Sequence, residues 1–121
     1  MDVKFMTLDG GTERQSFLDE WWNSDDHEAA FLQSGDCVYM MPYGHHTYLP
    51  FDQYAVKFAG TFRRHTFVAR DFELTGEMDG GGYLELAEDR KSCKYTDSST
   101  DYGPVKDGRA VVAAVSGALL R

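Results

Sequence analysis

The 121-residue chain contains no isoleucine, one asparagine (Asn23), three prolines and only two cysteines. No apolar stretch approaches the roughly 18 residues that a membrane-spanning helix needs, so no membrane partner is expected. Cys37 and Cys93 lie far apart and form no CxxC pair, which argues against a cysteine-built zinc knuckle. Residues Met1–Asp9 lack the basic-then-apolar layout of a leader. The two cysteines therefore read as reduced thiols, and the expected location is cytoplasmic. Basic residues are also scarce. Twelve Lys and Arg stand against 20 Asp and Glu, a net charge of −8. That balance argues against direct binding of nucleic acid. The missing isoleucine and scarce asparagine point to a GC-rich source, and aspartate outnumbers glutamate 13 to 7 as in salt-adapted proteins. Neither observation carries a function.

Leucine, valine and phenylalanine number nine, eight and eight, enough for one core in one domain, 1–121. The charge is uneven. Residues 1–36 sum to −7, residues 37–70 to +3 and residues 71–121 to −4. His45, His46 and His65 all fall in the basic middle. An acidic first segment would steer towards a partner with a basic surface, and the middle strip would suit an anion.

Periodicity predicts an α+β fold. The sheet is expected to be mainly antiparallel, with about five or six strands, two short N-terminal helical segments and a C-terminal helix. Val3–Leu8 reads as a first strand. Thr12 and Gln15 fit a capping box, and Phe17, Leu18, Trp21 and Trp22 share one helical face. A second helical piece is expected after Ser24, with Asp25, Asp26 and Glu28 in its first turn and Gly35 ending it. Cys37–Met41, residues 54–58 and Thr61–Arg70 read as strands. Phe72, Leu74, Gly76 and Met78 alternate with polar residues, predicting another strand before a hairpin turn at Asp79-Gly80-Gly81-Gly82. Tyr83–Glu88 and Ser92–Thr96 follow as strands, with Leu84 and Leu86 inward. Residues 97–108 read as a loop. Val111, Val112, Val115 and Leu119 then mark a last helix capped by Asp107.

Four groups of residues could carry chemistry. His45-His46, with Asp25, Asp26, His27 and Cys37 as companions, has no recognised ligand spacing, so no metal and no other cofactor is expected. Arg63 and His65 would share one strand face, where a guanidinium beside an imidazole suits a phosphate. The hydroxyl-rich loop holding Ser99, Thr100, Tyr102 and Gly103 precedes a helix, an arrangement that favours an anion, although Asp101 and Asp107 oppose it. Trp21 and Trp22 sit among Asp19, Glu20, Asp25 and Asp26. Adjacent helical positions diverge by about 100°, so one indole is expected at the surface as a binding residue ringed by acids.

The stretch Gly80-Gly81-Gly82-Tyr83-Leu84, then Asp89-Arg90-Lys91, then Ser99 and Tyr102-Gly103-Pro104 before a helix, resembles the back half of the Janus/Ocnus phosphohistidine phosphatase family. The resemblance spans residues 80–118, about a third of the chain. It implies that Ser99 and the backbone of Asp101–Gly103 cradle phosphate, and that His65 corresponds to the catalytic histidine. The family follows its glycines with an arginine, where this chain has Tyr83. It also places a helix between histidine and glycines, where periodicity here reads strand.

Three functions follow as expectations. The first is a small acidic, non-catalytic binding protein, such as a phage or mobile-element inhibitor of a host protein. It would present Trp21, Trp22, Asp19, Glu20, Asp25 and Asp26. The second is a phosphohistidine-phosphatase-like enzyme using His65. The third is a subunit of a viral or homo-oligomeric assembly joined through strand edges.

Overall fold

The computed structural model of the chain describes residues 1–6, 14–41, 65–71, 73–74 and 76–120. Its elements run β1 (Asp2–Phe5), α1 (Arg14–Asn23), a 3-10 turn (Asp25–His27), β2 (Glu28–Ser34), β3 (Cys37–Met40), α2 (His65–Asp71), β4 (Gly80–Leu86), β5 (Cys93–Ser98) and α3 (Gly108–Leu119). The class is α+β. The five strands form one mixed sheet in the order β1-β3-β2-β4-β5. β1 runs parallel to β3, and the other three pairings are antiparallel.

The sheet carries apolar clusters on both faces. Successive β2 residues alternate between them, as side chains on a strand must. Ala29 and Phe31 enter the larger cluster with Phe17 and Trp21 of α1 and Val111 and Val115 of α3. Ala30 and Leu32 enter the smaller one with Met41, Tyr83 and Ala69 of α2. Trp21 is fully buried, and its indole N–H donates to the Leu84 carbonyl at 3.2 Å. Phe17 packs edge-on against it with ring centroids 6.3 Å apart, and Phe5 lies 5.3 Å from Phe17. α1 is thereby fastened to the strand that carries the glycines.

Several expectations hold. β3, the strands beginning near Tyr83 and Cys93, and the last helix lie where periodicity placed them. Asp107 caps α3 by accepting the Ala110 N–H at 3.1 Å. Val111, Val115 and Leu119 are buried, and Val112 is half-buried. Both cysteines are free thiols, and burial pushes the Cys93 thiol above its ordinary pKa, keeping it protonated.

Four expectations are corrected. The second N-terminal helical piece is one 3-10 turn followed by strand β2. Asp26 and His27 both adopt positive φ, 57° and 53°, which stops a helix. The apolar run Ala29–Leu32 is a central strand covered on both faces, which by composition alone looks like a buried helix. Gly35, at φ 56°, turns the β2–β3 hairpin instead of ending a helix. His65–Asp71 is helix α2, not strand. Its buried positions His65 and Ala69 fall four apart, while the exposed Thr66 and Arg70 face away. The described residues between 73 and 79 form no strand; Leu74 and Met78 instead pack as half-buried residues on the smaller cluster. The glycines Gly80–Gly82 are strand, not turn. The Thr12 cap, His45, His46, the strand read over 54–58, and Arg63 and Arg64 lie outside the described residues.

Trp21 links α1 to β4 through both packing and a hydrogen bond. Trp21→Ala is expected to cost about 3–5 kcal/mol of stability, read as a lower urea midpoint with unchanged slope.

Candidate functional site

β4 opens with three glycines, none at positive φ. They are required by closeness. A Cβ on Gly80 would stand 2.5 Å from the Pro104 carbonyl oxygen, and one on Gly81 2.6 Å from that of Phe31. One on Gly82 would overlap the Asp97 carbonyl. Backbone from β2, β5 and the Gly103-Pro104 turn therefore approaches β4 where any side chain would intrude.

The 99–103 loop is bonded to the same segment. Ser99 N–H donates to the Gly81 carbonyl at 2.9 Å, and Gly81 N–H donates to the Gly103 carbonyl at 3.0 Å. Gly103 N–H closes back on the Ser99 carbonyl at 2.9 Å, with Gly103 at φ 77°. The buried Ser99 hydroxyl accepts the Tyr102 N–H at 3.2 Å. Tyr95 Oη adds a second donor to the Gly81 carbonyl at 3.3 Å and lies 3.0 Å from the Ser98 hydroxyl.

α2 is held to the same place. His65, its first residue, is 3% exposed and bonds through Nε2 to the Gly82 carbonyl at 3.1 Å. A carbonyl only accepts, so Nε2 carries a proton in this contact. The His65 ring stands edge-on to Tyr83 with centroids 5.1 Å apart. Next along the helix, Thr66 donates to the Asp101 carboxylate from its N–H at 3.0 Å and from its hydroxyl at 2.9 Å. Burial, and secondarily the Asp101 charge, raises the pKa of Tyr102, so its phenol stays neutral.

His65 therefore meets the Gly82 carbonyl and Ser99 the Gly81 carbonyl, while the Gly103 carbonyl accepts the Gly81 N–H. His65 itself opens α2, where periodicity read a strand. The loop's capacity for an anion is narrower than its composition suggested. The N–H groups of Ser99, Tyr102 and Gly103 are used inside the fold, and Asp101 occupies the start of α2. The exposed Thr100 keeps its N–H and hydroxyl without a hydrogen bond among the described residues.

The tryptophan group is divided. Trp21 is in the core and cannot meet a partner, which corrects its place in the binding set. Trp22 is half-buried, stacked on His27 at 3.9 Å and 2°, with the Arg90 guanidinium 4.9 Å from its ring. Arg90 also reaches Asp19 at 3.5 Å. Asp19 and Asp26 are exposed, Glu20 is half-buried, and Asp25 belongs to the 3-10 turn. Sequence reasoning missed the carbonyl partner of His65 and the Asp101–Thr66 contact. Asp101 reads in the sequence only as a loop acid, and the Thr66 N–H that it accepts lies 35 positions away.

Removing the Asp101 carboxylate leaves the Thr66 N–H without its partner. Asp101→Ala is expected to lose about 1 kcal/mol in urea unfolding, with Asp101→Asn recovering most of it. Compared with models of protein families, with curated proteins and with solved structures, the chain matches none.

Proposed function

We propose that the chain is a phosphohistidine-phosphatase-like hydrolase in which His65 receives the phosphoryl group. The observation that carries this reading is that His65 and the Ser99–Gly103 loop both bond the Gly81–Gly82 segment of β4, with Asp101 of the loop accepting from Thr66 beside His65. With Nε2–H on the Gly82 carbonyl, Nδ1 is the nitrogen assigned as nucleophile, the role an oriented imidazole plays in covalent catalysis. In the first step Nδ1 attacks phosphorus and the substrate P–N bond breaks. The departing nitrogen takes a proton from solvent. In the second step water attacks the phosphorus, the Nδ1–P bond breaks, and phosphate leaves while the water's proton goes to solvent. Thr100 offers the loop's remaining N–H to phosphate oxygens, and Arg63 and Arg64 directly precede α2 in the chain as sources of positive charge. Tyr83, standing where the family has arginine, supplies no charge and packs on the imidazole instead.

The expected result is hydrolysis of phosphoramidate by the intact chain, with an acid-labile phosphoryl group trapped on the protein. Both should disappear in His65→Ala, while Ser99→Ala retains partial turnover, about ten- to a hundredfold slower. A folded wild-type sample without P–N hydrolysis, or undiminished turnover in folded His65→Ala, would overturn the reading.

The acidic binding role stands as a second proposal. It is supported by the exposed Asp19 and Asp26 beside the half-buried Trp22, and it does without Trp21.

A further inference from the structure

We propose that the groove between β5 and α3 binds a small amphipathic anion. Its apolar body would lie against Tyr95, Val112 and Ala113, and its charge between Lys106 and Arg109. The cleft encloses about 620 Å³, within the range of small-molecule sites. Its walls are largely apolar: the Tyr95 ring, the α3 side chains and the stem of Lys94. Its rim is basic on a chain whose net charge is −8.

The cations on that rim are not equivalent. Lys94 is paired with Glu85 at 3.0 Å. Lys106 and Arg109 are exposed and form no ion pair or hydrogen bond among the described side chains. Asp107, between them in sequence, spends its carboxylate on the Ala110 N–H. Arg109 also sits in the first turn of α3, where the helix dipole already places positive potential. Lys106 and Arg109 outnumber the one carboxylate at that end, Asp107, and an anion lowers the electrostatic energy of the excess positive charge. Local rules are broken in this way where a ligand compensates them. The apolar walls determine the rest of the ligand, because a simple inorganic anion would leave them wet. A carboxylate or a phosphate head would meet the same two cations.

Octanoate, octyl phosphate and uncharged octanol, titrated into the full chain and followed by backbone amide shifts, separate these contributions. Octanoate or octyl phosphate should produce saturable shifts at Lys94–Tyr95 and Gly108–Ala113, with octanol about tenfold weaker. Saturation by octyl phosphate alone assigns a phosphate head, and by both, a site that reads charge only. The double variant Lys106→Gln/Arg109→Gln should weaken the anions about tenfold and leave octanol unchanged. Ala113→Trp, at an exposed position, should fill the groove and abolish all three. His65→Ala should bind as the native chain does, because the groove does not depend on the His65 chemistry. Absence of saturable shifts in these segments, equal binding of octanol and the anions, or an unchanged double variant would overturn the proposal.

Discussion

The close backbone contact at Gly80–Gly82 is the constraint on which the described structure depends. Without side chains there, β4 can pair with β2 on one side and take β5 and the 99–103 loop on the other. The same absence exposes the Gly81 and Gly82 carbonyls to groups beyond the sheet. Gly81 receives Ser99 and Tyr95, and Gly82 receives the imidazole of His65. A main-chain acceptor is a rigid anchor, because it moves only if the sheet moves. The orientation of His65 is therefore set by the most buried of the described strands.

Charge is distributed by a different logic. The acids are mostly exposed, and several neutralise specific neighbours. Asp19 meets Arg90, Glu85 meets Lys94, Asp101 caps α2 and Asp107 caps α3. Exposed pairs of this kind contribute little to stability. Their effect is to position side chains, as when Arg90 is held over the Trp22 ring. Lys106 and Arg109 stand outside this pattern among the described residues, as the Lys91 side chain does, and they do so at the edge of the apolar β5–α3 groove.

Legibility in the sequence followed burial geometry. α1, β3, β5 and α3 each bury one face, so their periodicities were readable. The valine-rich α3 was recognisable because Val111, Val115 and Leu119 still fall on one stripe. β2 was misread because a strand covered on both faces has no alternation to show. α2 was misread because its pattern of His65 and Ala69 is too short to outweigh the neighbouring β-branched Thr66 and Val68. The glycine triplet carried a real signal read through the wrong mechanism. By composition the triplet reads as a hairpin turn, and close backbone approach is what requires glycine there.

By itself the sequence determined the α+β class, the identity of most core residues, the Asp107 cap and the residue types available for chemistry. These depend on local propensity and on polarity, which each residue carries with it. Only the tertiary structure decided that His65 opens a helix against Gly82, that Asp101 serves α2, that Trp21 lies inside while Trp22 lies at the surface, and that Lys106 and Arg109 border an apolar groove. Each of those outcomes joins residues distant in the chain or sets which way a side chain faces. Such pairings follow from strand order and register, and no local window of sequence contains them.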